Sequence, residues 1–167
     1  NDLNQILKLA KTCQNKNAPI EFRIMCEGRY EDDVKNSKLS NVHYIPYSTK
    51  QKAAEVMASG DFNFVCYAQY NLLGTGSPNK YFDGLATGSI NIINVRGWME
   101  KELLETKAGL FWDVDNSDKL IDEIQKLYLN KTLFTEYQMN AQNLARVKYD
   151  LDIQNEKLAL QLETRLI

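Results

Sequence analysis

The feature that most constrains this chain is an alternation. Short runs rich in β-branched and aromatic residues recur along it, separated by segments whose apolar residues fall at helical spacing. Ile20 to Cys26, Val42 to Ile45, Phe62 to Tyr67, Ser89 to Val95 and Gly109 to Trp112 read as strands. Asp32 to Lys38, the segment capped by Ser48-Thr49 and ending near Gly60, Ser77 to Gly88, and Trp98 to Thr106 read as the helices between them. Parallel strands need crossover connections, and these are right-handed and lay their helices against the sheet. The expected architecture is α/β: a Rossmann-like parallel sheet with helices on both faces, in a single domain over 1–167.

The two ends of the pattern are helical. Asp2 precedes Leu3, Ile6, Leu7, Leu9 and Ala10, an amphipathic repeat that fades before Asn15, Asn17 and Pro19. Asn116 to Leu129, Leu133 to Val147 and Leu151 to Leu166 follow the last strand with none between them, so the domain ends in helices. The clearest boundaries belong to one internal helix. Ser77 is its expected N-cap, Pro78 its first residue, and Gly88 its terminator.

Composition narrows the function classes. At 44% hydrophobic and 25% charged, 167 residues support one sizeable core. The formal charge of -2 has no long like-charged block, so the basic stripe that nucleic acid requires is missing. Ile90 to Val95 and Phe62 to Ala68 are far shorter than the roughly 20 residues of a membrane span. Cys13, Cys26 and Cys66 are odd in number and far apart, with no histidine cluster nearby, so they read as reduced thiols of a cytosolic protein and not as a zinc site or disulfide framework. The chain enters a helical pattern directly from Asn1, without an initiator Met or a signal peptide, and so reads as part of something longer.

In doubly wound sheets ligands bind outside the carboxyl ends of strands, which points to Glu27 to Asp32, Pro46 to Ser48 and Gln69 to Pro78. The third loop says most. Gly74 and Gly76 permit close backbone approach, and the helix opening near Ser77 offers N–H groups to an anion such as a diphosphate. Lys80 falls in the first helical turn, where a cation opposes the helix dipole and so calls for another reason, such as a bound phosphate. Asp83, one turn on, suits two adjacent ribose hydroxyls because a carboxylate only accepts hydrogen bonds.

Each of these has a plainer reading. Lys80 and Asp83 also suit an exposed i,i+3 ion pair. Gly28 and Arg29 could meet a phosphate, but a glycine after a strand more often only makes a turn. His43, the sole histidine, lies within a strand and reads as structural; no triad can be built around it. Tyr67, Tyr70, Tyr81, Phe82 and Trp98 could stack a base or sugar, although aromatics at such positions usually fill a core, and Phe82 is expected to do so.

Asn41-Val42-His43-Tyr44-Ile45-Pro46-Tyr47, Gly60-Asp61-Phe62-Asn63-Phe64-Val65 and the stretch from Gly76 through Ser77-Pro78-Asn79-Lys80-Tyr81-Phe82-Asp83 to Gly88 together resemble the C-terminal domain of family 4 retaining glycosyltransferases. These enzymes have the two-Rossmann GT-B architecture. The bacterial surface-polysaccharide subgroup is the most similar, and the likeness extends to about Val147.

The resemblance implies a donor-binding role for Gly76, Ser77, Pro78, Asn79, Lys80 and Asp83, with Asp83 on the donor ribose. It puts Pro46 and Tyr47 beside the nucleotide base, and Gly28-Arg29 where the family often has Gly-Asp-Gly. Many members carry two glutamates eight positions apart; here those positions hold Thr75 and Asp83. The implied reaction transfers a hexose-type sugar from a nucleoside diphosphate to a glycan or lipid-linked acceptor, with no cofactor or required metal. The implied setting is cytoplasmic, with the intact protein able to associate peripherally with the inner membrane face. The family's domain opens with a further strand and basic loop, and an N-terminal domain receives the acceptor; both are expected upstream of Asn1, so 1–167 alone should be inactive. A sugar-nucleotide epimerase of the same architecture and a non-catalytic assembly module are the competing readings.

Overall fold

The computed structural model describes residues 2–68 and 71–163. Gln69, Tyr70 and the last residues of the expected terminal helix lie outside the described residues. Strand and helix alternate as expected: α1 (Leu3–Asn15), β1 (Phe22–Cys26), α2 (Arg29–Lys35), β2 (Val42–Pro46), α3 (Lys50–Ala58), β3 (Phe62–Val65), α4 (Asn79–Thr87), β4 (Ile90–Ile93), α5 (Trp98–Thr106) and β5 (Gly109–Phe111). α6 (Ser117–Leu129), α7 (Lys131–Lys148) and α8 (Leu151–Glu163) close the described chain.

All pairing is parallel, but it forms two sheets rather than the one expected. β1 pairs with β2, Phe22 opposite Val42 through Cys26 opposite Pro46. β3, β4 and β5 pair in that order, with Phe62 opposite Ile90 and Asn91 opposite Gly109. Among the described residues β1 and β3 each have one unpaired edge, and the two strands approach through Phe22 and Phe64, whose rings are 5.9 Å apart.

β4 shows how the layers form. Its side chains alternate between faces: Ile90 and Ile92 join Leu9, Phe22, Trp112 and Ile121 in one core, while Ile93 joins Val65, Tyr81, Leu85 and Leu103 in the other. α1, α6 and the start of α7 through Phe134 therefore cover one face, and α4, α5 and the rest of α7 the other.

Local signals explain most boundaries. The Asp2 carboxylate accepts from Gln5 N–H at 3.4 Å and Thr49 Oγ1 from Lys52 N–H at 3.1 Å, so two of the expected caps form. Two shifted helix starts bear on the expected loops. α2 opens at Arg29, not Asp32, because Gly28 takes φ 69° and turns the chain into the helix directly. α4 opens at Asn79, because Pro78 stays extended at φ -81° and ψ 134° and is itself the N-cap, leaving Ser77 outside. Gly88 ends α4 in the left-handed conformation as expected, at φ 76°.

Candidate functional site

The junction from Gly76 into α4 is open. Gly76, Ser77, Asn79 and Asp83 are exposed, and Pro78 and Lys80 half-buried, while Tyr81, Gly84 and Leu85 on the inner face of α4 are buried. The chain before it is not the free loop expected: Asn71–Thr75 form a 3-10 turn. Gly74 does allow close backbone approach, but to this chain rather than a ligand. A Cβ there would stand 1.9 Å from the Arg96 carbonyl oxygen, and one on Gly97 would stand 2.4 Å from that of Gly74. The Trp98 indole N–H donates to the Gly76 carbonyl at 2.9 Å, tying the junction to the start of α5.

Lys80 does not pair with Asp83. Its ammonium lies 4.5 Å from the centre of the Tyr67 ring, beyond the carboxyl end of β3, a cation–π contact. Burial there pulls its pKa down to about 8, with the nearby Cys66 acting in the opposite direction. The reason is geometric: Lys80 and Asp83 both belong to α4, but Lys80 turns toward the sheet and Asp83 toward solvent.

The aromatic residues divide. Tyr67 carries the lysine. Tyr81, Phe82, Trp98 and Tyr149 form one cluster in which Tyr81 lies 5.3 Å from both Phe82 and Trp98, and Phe82 lies 4.7 Å from Tyr149. The expectation that Phe82 packs inward holds, although it stays partly exposed. Tyr70 lies outside the described residues.

Beneath this cluster sits a residue that the sequence reading overlooked. Glu102 on α5 is 8% exposed, and its carboxylate accepts from the hydroxyls of Tyr81 and Tyr149 at 2.6 Å each and from the Lys148 ammonium. Burial pushes Glu102 up, but the hydrogen bonds from Lys148, Tyr149 and Tyr81 outweigh it and hold the carboxyl below its ordinary range. Burial and the same carboxylate raise the pKa of Tyr81 and of Tyr149. One carboxylate thus locks α4 to α5 and to the end of α7. A glutamate one turn after a tryptophan in an amphipathic helix gives no sign of this.

The second expected loop borders a groove of about 620 Å³ lined by Ile45, Pro46, Tyr47, Ser48, Thr49 and Gln51. Tyr47 is 52% exposed there, presenting a ring surface. α3, which follows this groove, packs against α4.

The first expected loop is a helix start. Arg29 turns to its neighbour: its guanidinium lies 4.6 Å from the Tyr30 ring centre and donates to the Tyr30 hydroxyl at 2.7 Å. His43 faces solvent on β2 and meets the Glu21 carboxylate at 2.6 Å, an exposed structural pair. Among the described residues no three His, Cys, Asp or Glu side chains gather as a metal site, and no helix is long and apolar enough to cross a membrane.

The chain matches no family model and no curated protein. Among solved structures it is similar to the C-terminal domain of a glycosyl transferase group 1 family protein, LpcC, from Francisella tularensis. The superposition has a TM-score of 0.66 at 14% identity and covers 88% of this chain and 78% of that one. The fold is therefore that of a group 1 glycosyltransferase C-terminal domain.

Proposed function

We propose that residues 1–167 are the donor-binding domain of a retaining glycosyltransferase, which moves a sugar from a nucleoside diphosphate to a glycan or lipid-linked acceptor. The observation that carries this reading is the open Gly76-to-α4 junction, with exposed Asp83 and partly desolvated Lys80 on one helix, in a fold shared with a glycosyltransferase domain. Helix N–H groups and the Lys80 ammonium would neutralise the diphosphate, and Asp83 would accept from the ribose hydroxyls. The exposed Tyr47 ring would border the base. The reading needs no cofactor beyond the donor, because fixed cations and amide dipoles can stabilise a leaving diphosphate.

It also gives a sense to the divided sheet: the unpaired edges of β1 and β3 suit one more parallel strand. That strand and the acceptor-binding domain would lie outside residues 1–167.

The test is calorimetric titration of the protein with UDP and GDP sugars. Replacing Asp83 by Ala is expected to weaken the preferred donor by about tenfold, the loss of one charge-assisted contact. Affinity should also fall as pH rises through about 8, because Lys80 is a base and sheds its proton above that value. Equal affinity in wild type and Asp83→Ala would sink the assignment.

A further inference from the structure

Three asparagines occupy positions where the strand pattern calls for apolar side chains. Asn91 lies fully buried between Ile90 and Ile92, Asn94 is 2% exposed just beyond β4, and Asn63 on β3 stands opposite Asn91. A buried amide left unsatisfied costs about 1–3 kcal/mol, so an asparagine is costly here unless its bonds are made. All three make bonds in the same neighbourhood.

Asn63 Nδ2 donates to the Lys80 carbonyl at 2.9 Å and to Asn91 Oδ1 at 2.8 Å. Asn91 Nδ2 donates to the Tyr81 carbonyl at 2.8 Å. The absence of a side chain at Gly84 permits this approach, since a Cβ there would stand 2.2 Å from Asn91 Oδ1 and 2.3 Å from Asn63 Nδ2. Asn94 grips the other side: its Oδ1 accepts from Tyr67 N–H at 2.9 Å, and its Nδ2 donates to the Tyr67 carbonyl at 2.8 Å. The Tyr67 ring is the one that carries the Lys80 ammonium. The Lys80 backbone and the backbone of the residue whose ring meets its charge are therefore both held by these asparagines.

We propose that Asn63, Asn91 and Asn94 are positioning residues for Lys80, holding the first turn of α4 and the Tyr67 ring so that the ammonium is presented, partly desolvated, to an anionic ligand at the junction. Apolar packing alone would press α4 on the sheet but would leave its rotation and sliding less defined, because only hydrogen bonds are directional. The ligand clause rests on the proposed function; the placement of Lys80 does not.

The experiment follows the Lys80 ammonium by ¹³C NMR titration in the whole protein and measures UDP affinity in the same samples. In Asn94→Ser and Tyr67→Leu, the Lys80 midpoint should rise from about 8 by about one unit, because the side chain regains water. UDP affinity should fall about fivefold, a loosened charge-assisted contact. Tyr67→Phe keeps the ring and the backbone bonds to Asn94, so it should behave as wild type. Asn63→Ser tests the backbone arm; should it fail to fold, the partly exposed Tyr67 still decides. An unchanged Lys80 midpoint in folded Asn94→Ser and Tyr67→Leu overturns the proposal, since a purely structural role would lower Tm without moving it. A wild type blind to UDP whose Lys80 midpoint still moves with the variants would instead remove the proposed function and leave the positioning intact.

Discussion

β4 and β1 are both short parallel strands rich in apolar residues, yet their surroundings differ. β4 is paired on both sides, and each of Ile90, Asn91, Ile92 and Ile93 is buried. Among the described residues β1 is paired only with β2, and past Phe22 its residues are exposed or half-buried. A strand enclosed on both edges and both faces contributes core; one with a free edge holds part of its apolar surface near water. The difference bears on the proposed site because α4 and Lys80 are anchored on the enclosed sheet, whereas Gly28 and the Tyr47 groove follow strands of the open one.

The sharpest way to break this contrast is to cut matched holes. Ile92→Ala removes a side chain with 0% exposure and should cost about 4 kcal/mol, whereas Ile24→Ala in half-buried β1 should cost about 1.5 kcal/mol. Urea denaturation of the two variants gives both numbers. Equal losses would mean that the two sheets share one level of packing.

A glycine pair comes next. Gly84→Ala drives a Cβ into the Asn91 and Asn63 amides, which have no room to withdraw, so about 3 kcal/mol should be lost. Gly28→Ala meets nothing within 4 Å, so only its positive φ of 69° resists, at about 1 kcal/mol. Thermal melts would order them. A harmless Gly84→Ala would show that α4 can lift from the sheet, and would weaken the case for asparagine positioning as well.

The same contrast marks what was legible in the sequence. Alternation, helix caps and terminal helices are local signals, and they located every described strand and α-helix to within a few residues, but not the 3-10 turn at Asn71–Thr75. Neither the division into two sheets nor the one-residue shift of the α4 start from Pro78 to Asn79 was legible. Pairing across a chain is not written in periodicity, and an extended proline can serve either as the cap or as the first helical residue. Of the candidate site, the turn-to-helix junction before α4 was readable from its glycines and Ser77-Pro78. The Lys80 contact with Tyr67 and the convergence of Tyr81, Tyr149 and Lys148 on Glu102 depend on residues far apart in sequence. One signal was overlooked: an asparagine inside the runs Phe62 to Val65 and Ile90 to Ile93 puts an amide, half-buried at Asn63 and fully buried at Asn91, where it needs partners.

The gentlest probe of the contrast uses the thiols. Cys26 ends β1 and is half-buried, whereas Cys66 follows β3 at 4% exposure, with its thiol 3.7 Å from the Asp2 carbonyl. Burial pushes the Cys66 thiol up to about 12 and that of Cys13, in α1, up to about 11; it raises Cys26 as well, from a more accessible position. Only the thiolate attacks a disulfide reagent, and raising a thiol pKa lowers the thiolate fraction near neutrality. Reaction at Cys66 must therefore wait for local opening of the enclosed sheet, while Cys26 needs only a small movement at an open edge. With an aromatic disulfide at pH 8, mapped by mass spectrometry, Cys26 should label at least about tenfold faster than Cys66. If Cys66 labelled as fast, the end of β3 would open as readily as β1, and the sheet beneath α4 could not be the rigid support that holds Lys80 in place.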